Sequence, residues 1–303
     1  MRLLMFRDQG GSRLGVLRSD EVIDVGKLAA LAGIADAPHD MLELIDQGAS
    51  GLGRLRDLLA AQQVDQLDRR SFAHSLSAVE VLPPLNPPRG NVFAIGRNYE
   101  KHAAEGARVL GRKIEPPTVF TKAQTSISGP YSDIVIDPHI SLEMDWEAEL
   151  GVVIGRRGKN ISAQQALDHV FGYTVVNDIS ARDIQMGWGG QFFKGKSLDG
   201  TCPIGPWIVT SDEIADPQNL RIALRINGVT KQEAHTSEMT YTVEELVSRL
   251  SEGMTLLPGN LITTGTPEGV GFARSPAEFL QPGDVMETEI EAIGLMRNRM
   301  VSA

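Results

Sequence analysis

Residues 145–155 read DWEAELGVVIG. From Gly151 onward the run is as apolar as a buried strand, yet Asp145, Glu147 and Glu149 lead straight into it. Side chains two apart on a strand share a face, so Glu147 and Glu149 point one way and Trp146, Ala148 and Leu150 the other. Two neighbouring carboxylates repel, and in a partly buried place at least one takes up a proton unless a positive group sits beside them. The stretch leaves three readings open: a solvated edge-strand tip, a salt bridge to Lys or Arg, or a hard divalent cation held by oxygen ligands.

Working outward, GYTVVND (172–178) ends a second apolar run on another acid, Asp178, where a strand gives way to a helix that Ser180 and Asp183 are placed to cap. Glu147, Glu149 and Asp178 together would leave room on an octahedral cation for water and substrate oxygens. Further strand-like runs are VFAIG, TVFTK, DIVIDP, PWIVT, RIALRING, LITTGT, VMETEIEAIG and RNRMV. Asn227-Gly228 predicts a tight hairpin turn. Helices are predicted near NYEKHAAEGARVL, near SAQQALDHVFG, and after Thr242, which forms a capping box with Glu245. Strands outnumber helices and do not alternate with them, which argues against Rossmann and TIM architectures. The expected fold is α+β and β-rich, a mixed β-sandwich roll.

At the N-terminus, RLLMF, RLGVL and EVIDV predict a three-stranded meander, followed by helical spacings in KLAALAGI, MLELIDQ and LGRLRDLLAAQQ. The segment VEVLPPLNPPRG (79–90) places four prolines in six residues, which excludes a helix or a central strand. Residues 1–75 are therefore read as a small α+β domain and 78–303 as the main, β-rich domain.

The chain has 303 residues, 42% hydrophobic and 22% charged, with a formal net charge of -10. No long basic run is present, so nucleic acid is not an expected partner, and an acidic surface repels anionic membranes. No stretch reaches the roughly 20 apolar residues of a membrane helix, and the expected location is the cytoplasm. The single cysteine, Cys202, excludes an internal disulfide. Its Pro/Gly-rich setting with no adjacent base reads as a structural thiol.

Three more segments carry chemistry. His102 and Glu105 stand at i, i+3 on one helical face, where a carboxylate fixes the imidazole tautomer and raises its basicity; the bland reading is the polar face of an amphipathic helix. Lys194 and Lys196 lie in the Gly-rich loop FFKGKSLDGTCPIGP, as oxyanion or carboxylate binders or merely solvated lysines. LITTGTPEGVG (261–271) offers backbone amides and the Thr266 hydroxyl to an anion, but it lacks the spacing and lysine of a nucleotide loop.

Taken in order, G-R-N-Y-x-x-H-x-x-E, F-x-K, D-W-E-x-E-L, N-D-x-[ST]-A-R-D-x-Q, G-K-S-x-D-x-x-x-P-x-G-P and T-G-T-P-x-G-V-G make the chain from about residue 90 to the end resemble the fumarylacetoacetate hydrolase family. The resemblance implies a β-rich roll, a homodimer, and a divalent metal at the mouth of the roll. The metal is expected to be Mg²⁺, with Mn²⁺ or Ca²⁺ satisfied by the same ligand types. It carries the metal ligands onto Glu147, Glu149 and Asp178, a water-activating dyad onto His102 and Glu105, and further catalytic groups onto Lys196 and Gln185. Substrate contacts fall on Arg97, Tyr99, Lys122, Arg182 and Thr266. The sequence departs from the family pattern at Ala123, where a proline is usual, and at His235, in place of an asparagine-like position, which bears on substrate choice. The expected activity is metal-dependent hydrolysis of the C–C bond of a 2,4-dioxo acid (acylpyruvate type). The alternatives are a 2-oxo acid (oxaloacetate) decarboxylase, a dienedioate isomerase, and a non-catalytic β-module stapled by a cation.

Overall fold

A computed structural model describes residues 1–8, 10–61 and 66–303. Two sheets carry the architecture, one of twelve strands and one of five. The strand Ala148–Ile154 lies inside the larger sheet, antiparallel to Val170–Asn177 on one side and to Leu261–Thr263 on the other. All seven of its residues are buried. Leu150, Val152 and Ile154 pack with Ile222, Leu224, Met286 and Met296 of the five-stranded sheet. On the opposite face, Val153, Phe171, Val176 and Ile208 pack with Leu28, Leu44 and Leu55 of the N-terminal helices. This two-sided burial explains why the run alternates so little in hydrophobicity.

The N-terminal meander forms as predicted, with strands Arg2–Asp8, Gly11–Arg18 and Glu21–Asp24. Asp24 ends the third strand and caps helix α1 (Val25–Leu31) by accepting from the Lys27 N–H. Helix α2 (Met41–Ala60) breaks at Gly48, whose φ of 57° is left-handed. The strand Arg2–Asp8 also pairs with Cys202–Thr210 and with Glu80–Leu82, so the meander extends the large sheet and shares its core.

Helix α3 (Glu100–Leu110) and helix α5 (Val243–Ser251) stand where the sequence predicts them, the latter with the Thr242–Glu245 capping box formed. The Asn227-Gly228 hairpin also forms, both residues adopting positive φ, which a two-residue primed turn requires. Two local expectations fail. Residues Ala163–His169 form a 3₁₀ run between strands, not an α-helix. Helix α4 (Arg182–Gly187) is capped at Ala181 without a side-chain bond. Ser180 Oγ turns back to the Asp178 carbonyl, and Asp183 accepts from Ser141 Oγ and the Leu142 N–H, so tertiary partners outcompete the local cap. Among the described residues no helix is long and apolar enough to cross a membrane.

Candidate active site

Antiparallel pairing brings the start of Ala148–Ile154 beside the end of Val170–Asn177: Ala148 faces Asn177 and Glu149 faces Val176. The Asp178 N–H donates to the Glu147 carbonyl (2.9 Å). The Asn177 side chain accepts from the Glu147 N–H (3.0 Å). Glu147, Glu149 and Asp178 thus meet although 31 positions separate Glu147 from Asp178 in sequence. One carboxylate oxygen from each lies within 4.8 Å of the other two, and all three residues are buried.

Three buried cations surround them. Lys196 Nζ sits between Glu147 Oε2 (2.7 Å) and Asp178 Oδ2 (2.8 Å). Lys122 Nζ donates to Asp178 Oδ1 (2.7 Å) and to the Lys196 carbonyl. Arg182 reaches Glu147 Oε1 (2.7 Å) and Asp145 Oδ2 (2.8 Å), with its guanidinium over Phe272. Burial alone would raise the Glu147 carboxyl, but Lys196 and Arg182 hold it down at about 2.

Glu149 is different. It accepts the Gly265 N–H (2.8 Å) and has no ion-pair partner among the described residues. Burial, with Asp178 and Glu147 alongside, pushes its carboxyl well above the usual carboxylate range. Among the described residues four buried acids (Asp145, Glu147, Glu149, Asp178) therefore face three buried cations (Lys122, Arg182, Lys196), leaving one acid without a cation. An all-oxygen donor set with an unpaired acid suits a hard divalent cation, so the residues present fit the expected metal. Both the salt-bridge reading and the cation reading of the opening stretch have support here. The solvated-tip reading is excluded, because Glu147 and Glu149 are 5% and 1% exposed.

Glu147, His102, Gln185, Lys196, Arg97 and Thr266 line one cavity of about 570 Å³. His102 is 9% exposed, on α3, with Nδ1 3.0 Å from Glu105 Oε1. Glu105 also accepts the Gly269 N–H (3.1 Å to Oε2). A carboxylate so held accepts a hydrogen bond from the ring's Nδ1–H and leaves Nε2 as the basic nitrogen. Gln185 Oε1 accepts from Arg182 Nη1 (2.9 Å), which leaves its amide N–H₂ without a protein partner among the described residues and available to the cavity. Lys196 is 2% exposed, so the solvated-lysine reading does not apply to it, whereas Lys194 is exposed. The short step from α4 to Lys196 requires glycine at 195: a Cβ there would lie 2.5 Å from the Gln185 backbone nitrogen.

Other expected contacts fall elsewhere. Tyr99 is buried, its hydroxyl without a partner among the described residues, and Lys122 is fully buried against Asp178; neither lines the cavity. Arg97 lines it with φ of 62° while its guanidinium pairs with Glu115 (2.6 Å). His235 is not part of the wall; its Nδ1 lies 2.7 Å from Ser237 Oγ. Ala123 donates its N–H to Ser197 Oγ (3.0 Å), tying this position to the Lys196 loop. Cys202 is fully buried, its thiol pushed up to about 12 by burial, as suits a structural thiol.

The sequence reading gave no role to Asp145 beyond its charge. It accepts from Arg182, from the N–H groups of Gly271 (2.6 Å) and Phe272 (3.1 Å), and from its neighbour Trp146 (2.8 Å). It thereby ties α4 to the 261–271 loop. Its place at the head of D-W-E was the only signal.

A sequence profile described as fumarylacetoacetate (FAA) hydrolase C-terminal matches residues 91–301. A mitochondrial oxaloacetate tautomerase of Bos taurus, FAHD2A, is 43% identical over 265 residues, covering 87% of this chain and 80% of the relative. The oxaloacetate tautomerase YisK of Bacillus subtilis is 38% identical over 292 residues, 95% of each. Among solved structures, maleylpyruvate hydrolase of Sphingobium sp. SYK-6, in complex with manganese (II) ion and pyruvate, superposes with a TM-score of 0.78 at 30% identity over 100% of both chains. With the profile spanning most of the chain and relatives alike over nearly its whole length, the chain belongs to the fumarylacetoacetate hydrolase family.

Proposed function

We propose that this chain is a divalent-cation-dependent enzyme that interconverts the enol and keto forms of a 2-oxo dicarboxylate of the oxaloacetate kind. The observation that carries the reading is one cavity lined both by Glu147 of the acid cluster, with Glu149 and Asp178 directly behind it, and by an imidazole whose Nε2 has no partner among the described residues. The similarity to oxaloacetate tautomerases supports the substrate class. So does the cavity rim, where Arg112 and Lys113 supply positive charge for a second carboxylate on a chain that is otherwise acidic.

Glu147, Glu149 and Asp178 would hold the cation, Mg²⁺ or Mn²⁺, and when bound it supplies Lewis-acid polarisation of the 2-oxo oxygen. His102, oriented by Glu105, takes the enol O–H proton on Nε2 and delivers a proton from Nε2 to substrate C3, so the ring ends as it began and no water is consumed. Gln185 and Thr266 orient oxygens of the substrate by donating to them.

The dyad also supports a second reading, hydrolysis of a 2,4-dioxo acid, and the similarity to maleylpyruvate hydrolase favours it too. There, His102 Nε2 takes a proton from water, hydroxide adds to the 4-carbonyl, and Lys196 and Gln185 stabilise the oxyanion. The C3–C4 bond then breaks with its electron pair going to C3.

The test is to prepare metal-free protein, restore Mg²⁺ or Mn²⁺, and follow the ultraviolet absorbance of enol-oxaloacetate, with keto product captured by malate dehydrogenase. Metal-dependent acceleration without CO₂ release is expected. Loss of acetylpyruvate without enol acceleration would replace tautomerisation by hydrolysis, CO₂ from oxaloacetate would indicate decarboxylation, and no turnover in any arm would leave a cation-stapled module.

A further inference from the structure

Gln232, on the strand Val229–His235 of the five-stranded sheet, is 1% exposed and does not line the cavity. Its Oε1 accepts the N–H of Ala148 (2.9 Å), the residue between Glu147 and Glu149. Its Nε2 donates to the Pro267 carbonyl (2.9 Å) and to Thr266 Oγ1 (2.8 Å). A backbone N–H can only donate and a carbonyl can only accept, so these two partners fix which end of the amide is oxygen. Both amide hydrogens are then spoken for, one by Pro267 and one by Thr266.

The consequence falls on Thr266. Its oxygen is an acceptor towards Gln232, and among the described residues its own O–H has no acceptor. Thr266 is 2% exposed, and it lines the cavity beside Glu147, Gln185 and Lys196. A buried hydroxyl whose oxygen already accepts from the protein, and whose O–H has no protein acceptor, satisfies that O–H by donating into the cavity. An acceptor oxygen satisfies the O–H at that position, whereas an N–H or O–H donor of a ligand leaves it unpaired.

We propose that Gln232 is a positioning residue that fixes the Thr266 hydroxyl as a donor to a carboxylate oxygen of the bound substrate. The proposal rests on the 2-oxo acid reading of the site. By holding Ala148 with its other end, Gln232 also keeps this donor in register with the two glutamates of the acid cluster.

The probe is oxalate, a non-reacting two-carboxylate ligand, titrated by calorimetry into Mn²⁺-loaded protein; Mn²⁺ affinity is read separately by electron paramagnetic resonance. Thr266→Val is expected to weaken oxalate about tenfold, the loss of one hydrogen bond to a charged group, with Thr266→Ser close to wild type. Gln232→Met is expected to weaken oxalate about fivefold in the wild-type background and not at all in the Thr266→Val background. In turnover, the same substitution raises KM more than it lowers kcat. Equal losses from Gln232→Met in both backgrounds, or none in either, would overturn the proposal while leaving the 2-oxo acid reading in place. If Gln232→Met does not fold, the hydroxyl pair decides: oxalate binding by Thr266→Val as tight as by Thr266→Ser overturns the proposal. Mn²⁺-loaded wild type that takes up no oxalate would overturn the 2-oxo acid reading and this inference with it.

Discussion

Glu149→Gln should stabilise the metal-free protein while abolishing its response to metal. Glu149 is 1% exposed, lacks an ion-pair partner among the described residues, and has carboxylates on either side. With the oxygens of the acid cluster within 4.8 Å of one another, one like-charged neighbour costs at least about 3.5 kcal/mol at an effective dielectric of about 20. Lys196 offsets part of that, and desolvation adds to the rest. Protonation caps the penalty. With the folded carboxyl raised above its ordinary 4.5, the cost at pH 7 cannot exceed that of protonating it, about 3.4 kcal/mol at 1.36 kcal/mol per pH unit. The sign follows: this group leaves stability intact below pH 4.5 and costs more as the pH rises towards its folded value. The neutral amide can still accept the Gly265 N–H, so the metal-free variant should gain stability at pH 7, by at most about 3 kcal/mol or roughly 5 °C in Tm, and the gain should vanish towards pH 4.5. Wild type with metal at about 100 times Kd should gain about 2.7 kcal/mol, and the variant almost nothing. Scanning calorimetry of EDTA-treated and Mn²⁺-loaded proteins across pH measures all of this. A metal-free variant no more stable than wild type at pH 7, or one that keeps its metal response, would refute the charge argument.

His102→Ala should lower turnover about a hundredfold, a typical loss for a general acid–base, with Mn²⁺ affinity by paramagnetic resonance unchanged; near-normal turnover would remove the dyad from the chemistry. Lys196→Met strips the bridging ammonium from Glu147 and Asp178 and should cost about 3–5 kcal/mol in metal-free denaturant unfolding, with added Mn²⁺ restoring part of the loss. Gly195→Ala drives a Cβ into the backbone of α4 and should cost about 1–3 kcal/mol, with Gln185 and Arg182 displaced and oxalate affinity reduced. Metal affinity should also fall as pH drops, because the cation must displace a proton that Glu149 holds more tightly than an ordinary carboxyl.

Local chemistry made much of this molecule legible from the chain alone. Period-two patterning and the Asn227-Gly228 turn identify strands, and Thr242 with Glu245 identifies the start of a helix, because each signal is complete within a few residues. The run at 145–155 announces a buried strand headed by acids, and the ordered motifs point to the family. What a neighbouring strand or loop supplies could not be read that way. Only the antiparallel register of Ala148–Ile154 with Val170–Asn177 brings Asp178 to Glu149, and only tertiary packing hands Lys196 and Arg182 to Glu147 and leaves Glu149 without a cation. The Ser180 cap failed for the same reason: a hydroxyl goes to whichever partner the fold offers, and here that was the Asp178 carbonyl. Gln232 shows the limit most plainly. Its sequence neighbourhood carries no sign of a role, because its partners Ala148 and Thr266 belong to other parts of the fold and meet its amide only once the two sheets have packed together.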